Sequence, residues 1–139
     1  MDVDSAGNIW VVSGLEKDRF LFRIEAGGKK GRRILAGPDW HLGALDVPQS
    51  VRLDPAGNVY VAEQGEEGVE AARISVYDKN GGFLRAFGRG GPVPHTDAVL
   101  PGQVWRPVDL AFGEGGRLYV ACAKDGGFSK HLMLMFQPF

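Results

Sequence analysis

One cysteine, Cys122, stands in a chain of 139 residues. That scarcity excludes an internal disulfide and any metal site built from paired cysteines, and it leaves the redox compartment open. No apolar run approaches the length of a membrane span, the longest suggestive one being "LMLMF" at Leu132–Phe136. Charge of one sign is also missing: 16 basic side chains face 17 acidic ones, for a net charge of −1. No global field draws the chain to nucleic acid or to an anionic membrane, so neither is an expected partner. No apolar period of 3.6 residues persists long enough for a helix. The signatures H-E-x-x-H, C-x-x-C and G-x-S-x-G are absent, which removes the common zinc-protease, thiol-redox and hydrolase readings. The start, "MDVDSAGN", has no basic region followed by an apolar stretch and does not read as a signal peptide. Localisation stays unassigned, with an extracytoplasmic place open if an upstream part carries a signal.

What the chain has in abundance is glycine and proline, 21 and 8 residues, which announce frequent turns. Three phrases repeat: "DSAGNIWVVSG", "DPAGNVYVAEQ" and "GEGGRLYVACA". Their glycines, Gly7, Gly57 and Gly116, lie 50 and 59 residues apart, near the period of propeller blades. After each glycine come an aliphatic residue (Ile9, Val59, Leu118), an aromatic one (Trp10, Tyr60, Tyr119) and a valine (Val11, Val61, Val120). Before it lie Met1 and Val3, Val51 and Leu53, Leu110 and Phe112, with Pro48 and Pro107 further upstream. Apolar residues two apart share one face of a strand, and a Gly-Asn pair suits a turn with positive φ. Each phrase therefore reads as strand, tight turn, strand.

A third strand follows in each unit: "RFLFRI" (Arg19–Ile24), "RISVYD" (Arg73–Asp78) and "HLMLMF" (His131–Phe136). A fourth follows in the first two, "RRILAG" (Arg32–Gly37) and "GGFLRAFG" (Gly81–Gly88). Four antiparallel strands, repeated, predict an all-β chain of β-propeller blades in an incomplete ring. The blades span residues 1–46, 47–100 and 101–139, the last without its fourth strand. A stack that stops abruptly leaves blade faces uncovered, and Met1, Val3, Leu132 and Leu134 are the expected uncovered positions. Two occupants suit them: a second copy closing the ring, or an upstream half of the same protein.

The order Pro, spaced apolar residues, Gly-Asn, aliphatic, aromatic, Val, Arg before the third strand, then Gly-Phe-Leu and Phe-Gly resembles the NHL repeat. Pro48 to Gly88 is the closest unit. The resemblance implies a propeller of six blades, of which this chain holds about three. Where that family has Asp after the second strand, this chain has Ser13, Glu63 and Cys122, while the matching basic residue stands at Arg19, Arg73 and Lys130. The implied Asp–Arg tie then becomes Glu63–Arg73 in the middle unit alone.

Function is expected in the loops gathered at one end of the blades. These are residues 37–46, 63–72, 91–106 and 123–130, and they carry the candidate ligand-binding residues Trp40, His41, Gln49 (beside them), His95, Asp97, Trp105 and Arg106. Trp40 and Trp105 are read as apolar anchors, and Arg106, Asp97, Gln49 and His95 as polar contacts. The reading is a binding and interaction scaffold for a protein or small ligand. The alternative is a share of a six-bladed metal-dependent lyase or hydrolase whose remaining blades lie upstream. Some lyases of that fold hold zinc with histidines from several blades, which makes His41 and His95 weak zinc candidates, with His131 too far from the axis. The acid run Glu63, Glu66, Glu67 and Glu70 could offer carboxylates to calcium, without the spacing of a dedicated calcium loop. The basic turn "GGKKGRR" (Gly27–Arg33) lacks aromatics for base stacking and reads as a solvated hairpin tip. "GRGG" (Gly88–Gly91) opens no helix and cannot cradle phosphate on a helix N-terminus.

Overall fold

The computed structural model describes residues 1–15, 18–36, 45–65, 72–88, 101–123 and 132–137. Their architecture is all-β: three separate antiparallel sheets and a single short 3₁₀ turn, with no closed barrel, as an incomplete propeller-like arrangement requires. The first sheet runs β1 (Asp2–Val3), β2 (Ile9–Leu15), β3 (Asp18–Ile24) and β4 (Gly31–Ala36). The middle sheet runs β5 (Pro48–Leu53), β6 (Val59–Glu63), β7 (Arg73–Tyr77) and β8 (Phe83–Phe87). The third holds β9 (Pro107–Phe112), β10 (Leu118–Cys122) and β11 (Leu132–Phe136). Strands pair in chain order throughout, since consecutive strands in each sheet are antiparallel neighbours.

The repeated glycines make the turns. Gly7, Gly57 and Gly116 have φ of 84°, 86° and 75°, a region costly to any residue with a Cβ. In the first two turns an aspartate organises the loop: Asp4 accepts from the Ala6 and Asn8 amides and Asp54 from the Asn58 amide, and each also holds the asparagine side chain. The third turn departs from this. Gly113 occupies the aspartate's place, and a Cβ there would stand 2.6 Å from the Tyr119 ring, so the chain uses the 3₁₀ turn Glu114–Gly116 instead.

Two cores lie between the sheets. Trp10 and Leu21 of the first sheet meet Val51, Val59, Val61 and Tyr77 of the middle one. On the middle sheet's other face, Tyr60, Ala62, Ile74 and Val76 meet Leu110, Leu118, Val120 and Cys122 of the third. The middle sheet is covered on both sides, and every residue of β6 and β7 is buried. The third sheet is covered on one, and β10 alternates buried with half-buried. Contacts between sheets concentrate on the leading strands, β1 and β2 against β5, then β5 and β6 against β9. That is how sheets fanning out from a common axis touch.

The uncovered positions follow from register. Met1 and Val3 are exposed, as expected. In the third sheet Leu134 pairs with Val120 on the covered face and packs partly against the core, while Met133 and Met135 are the exposed residues. The expected phase of β11 is thus off by one residue, which exchanges its faces. The side chain of Leu132 lies outside the description.

Candidate functional site

The loop end of the stack is set by how β5 and β9 begin. Each opens on a proline, Pro48 or Pro107, preceded by a residue with positive φ: Val47 at 53° and Arg106 at 41°. The two positions correspond in the repeat. Left-handed backbone costs a residue with a Cβ about 1–2 kcal/mol, and a following proline restricts it further. Neighbouring backbone holds each in place. Val47 accepts a hydrogen bond from the Gln64 amide, Asp46 accepts one from Gly65, and Arg106 accepts one from Ala123. The start of each first strand is thereby latched to the end of its second, so the loops between second and third strands share an end with the loops between blades.

Beneath this rim runs a chain of buried charge. Arg73 meets Glu63 through two contacts, Nε to Oε1 at 3.3 Å and Nη2 to Oε2 at 3.0 Å, with Ser75 Oγ 3.2 Å from the same Nε. Glu63 Oε2 also accepts the Asp46 amide, and the Asp46 carboxylate accepts from Arg19 Nη1 at 3.3 Å. All four ionic residues are buried. Burial pushes the Glu63 carboxyl above its ordinary value, against the pull of the Arg73 guanidinium. It also raises the Tyr77 hydroxyl, with Glu63's charge adding to the effect.

The Glu63–Arg73 tie expected from the repeat is present. The first sheet makes an equivalent that sequence reasoning missed: Ser13 cannot pair with Arg19, and Asp46, from the segment between blades, takes its place. Asp46 therefore bridges the first sheet to the middle one. The signal available was an acidic residue two positions before Pro48, but only folding brings it to Arg19, 27 residues away. Glu63 itself is not part of an acidic loop offered to calcium. It ends β6 as a core residue with both oxygens engaged.

Of the candidate ligand-binding residues, the structure places three. Gln49 is exposed on β5, its amide 3.4 Å from the Val47 carbonyl. Arg106 is half-buried at the rim. Trp105 is 5% exposed and supports the rim from below, where its backbone amide donates to Cys122 Sγ. Trp40, His41, His95 and Asp97 lie outside the described residues, as do His131, Lys130, Glu66, Glu67 and Glu70. Among the described residues no three His, Cys, Asp or Glu side chains are grouped to hold a metal ion, so zinc and calcium gain no residues here. At the opposite end, Lys29 and Lys30 are exposed in the β3–β4 turn, and Arg33 lies 5.1 Å over the Phe20 ring. No helix is long and apolar enough to cross a membrane among the described residues.

Comparison with protein-family models finds none that matches the chain, and comparison with curated proteins finds no match.

Proposed function

We propose that the chain is an NHL-like propeller segment that works as a binding scaffold, recognising a protein or small ligand through the loops at the Val47–Arg106 end. The observation that supports this reading most is the repeated left-handed joint. Two residues with side chains hold a costly conformation at equivalent places, and both lie at the same end of the stack. The strain falls twice where the first strand's pairing is irregular and latched by the end of the second, and strained backbone of this kind clusters at positions that aim functional groups. Gln49 and Arg106 then present polar contacts over a rigid floor of buried ion pairs and Trp105. Trp40, His95 and Asp97 lie outside the described residues and enter the reading from their places in the sequence. A further blade, from a second copy or from an upstream half of the same protein, enlarges the platform.

The test maps binding onto the isotope-labelled chain by amide shifts, using a panel of short peptides and small polar molecules. Shifts gathered on Gln49, Arg106 and their loops, and lost with Gln49→Ala and Arg106→Ala, are the expected result. Shifts gathered on the turns around Gly7 and Gly57 would sink the proposal. Stoichiometric zinc in the purified protein, lost with His41→Ala or His95→Ala, would replace it with the metal-dependent enzyme.

A further inference from the structure

The two outer faces of the stack match the two halves of a joint that the chain already builds twice. Every sheet has a leading face, turned toward the preceding sheet, and a trailing face, turned toward the next. On the middle sheet the leading face carries Val59 and Val61, and the trailing face carries Tyr60 and Ala62, because neighbours in a strand alternate. The first joint sets Trp10 and Val12 of a trailing face against Val59 and Val61. The second sets Tyr60 and Ala62 against Leu118 and Val120. The rule is an aromatic and a small aliphatic residue against two branched aliphatic ones.

Both unmatched faces keep it. Ile9 and Val11 stand where Val59 and Val61 stand, and register adds Val3, Ile24 and Phe22 to their side. Tyr119 and Ala121 stand where Tyr60 and Ala62 stand, and register adds Met135 and Met133. Register matches Met133 and Met135 to Ile74 and Val76 of the middle sheet, which are 0% and 1% exposed, whereas Met133 is 67% and Met135 50% exposed. Val3 on the other outer face is 55% exposed, and Ile9, Val11, Tyr119 and Ala121 are half-buried. Between Ala111, Ala121 and Met133 lies a hollow of about 100 Å³, also lined by Tyr119, with the space for a branched aliphatic side chain. The Asp109 carboxylate at its edge is already held by Ser50 and Arg52.

We infer that a second copy of this chain docks head to tail, its leading face (Val3, Ile9, Val11) seated on the trailing face (Tyr119, Met133, Met135) of the first. A second copy is the occupant the structure favours, since one chain carries both halves of the joint in the pattern its own blades use. The contact is heterologous, joining different faces, so it closes into a ring where the rotation allows and otherwise extends. The inference rests on the propeller-like reading of the stack and stands apart from recognition at the loop end.

Light scattering on a sizing column, over a range of concentrations, compares the wild type with Val3→Glu and Met135→Glu. Both substitutions sit at exposed side chains, and unchanged far-ultraviolet dichroism confirms that each variant folds. The wild type should assemble and each variant alone should be monomeric, because each lacks one half of the joint. Mixing the two variants should restore a 1:1 pair, since Val3→Glu keeps a sound trailing face and Met135→Glu a sound leading face. A wild type that stays monomeric overturns the inference and assigns the faces to a further segment of a longer chain. So does assembly that neither variant weakens, or a mixture that fails to pair.

Discussion

Arg73→Met is the substitution that probes the buried ion pair most directly. It keeps the side-chain volume close to the original and removes only the charge and its donors. Glu63 then stays buried with the Asp46 amide and the Ser75 hydroxyl as its remaining donors. Leaving one partner of a buried pair uncompensated costs about 3–5 kcal/mol, a large share of the roughly 5–15 kcal/mol that holds an ordinary domain together. The companion variant, Glu63→Leu with Arg73→Met, removes both charges and leaves the Asp46 amide without its acceptor, at about 1–3 kcal/mol. The double variant is therefore expected to be more stable than the single one. Urea unfolding followed by tryptophan fluorescence reads both differences from the midpoints at constant slope. Acidity supplies an internal control. In Arg73→Met burial remains the largest influence on Glu63 and raises its pKa further above the ordinary 4.5, since the lowering by Arg73 is gone and only the Ser75 and Asp46 hydrogen bonds oppose it. A carboxyl raised in the folded state contributes stability below its unfolded pKa and loses it as the pH climbs through the folded one. The deficit of Arg73→Met should thus narrow as the pH falls from neutral toward 4.5. A loss under about 1 kcal/mol, a double variant weaker than the single, or a deficit that widens in acid would refute the argument.

Three further outcomes are expected. The Cys122 thiol, buried and with its pKa raised by that burial, should react with a disulfide reagent only as fast as the strand opens, and promptly in denaturant. Replacing Val47 by glycine should raise the melting temperature, because relief of about 1–2 kcal/mol of left-handed strain exceeds the added chain entropy of about 0.5–1 kcal/mol; a lowered melting temperature would show that the valine side chain outweighs the strain. Partial burial pushes the Asp4 carboxyl upward, but hydrogen bonds from Asn8 and the Trp10 indole win and hold it below its ordinary 3.8. Its stabilisation is present above 3.8 and lost below, so the wild type should lose more stability than Asp4→Asn when acidified through that range.

The fold was legible in the sequence because positive φ at Gly7, Gly57 and Gly116 leaves a mark that no other residue supplies cheaply. With the glycines aligned, the alternating residues of β5, β6 and β10 sort onto their faces. β11 was harder. "HLMLMF" is apolar at nearly every position, so alternation cannot choose a phase, and only pairing with β10 shows Leu134 inward and Met133 outward. The Glu63–Arg73 tie could be read because both residues lie in one blade at corresponding positions of paired strands. Asp46 could not be, since it acts between blades through a contact that no local pattern encodes. The strain at Val47 and Arg106 was hidden for a related reason: a residue before proline is ordinarily extended, and sequence reasoning places it there. At the candidate site, Gln49 is exposed at the start of β5 and Arg106 is half-buried at the rim, while Trp105 is sunk beneath it.

The two joints of the stack are made of different materials. Between the first and middle sheets, Arg19, Asp46, Glu63 and Arg73 thread buried charge through the contact. Between the middle and third sheets the interior is apolar, with Tyr60 edge-on to Phe112 at 4.9 Å, and among the described residues an ion pair stands at the partly exposed Arg52–Asp109 rim. Apolar contact weakens on cooling, whereas the desolvation cost of buried ions falls on heating. Temperature therefore gives the stack a direction. Cooling weakens the apolar core of both joints, and heating lowers the desolvation cost only where charge is buried, so the joint beside the first sheet gains on the joint beside the third as the temperature rises.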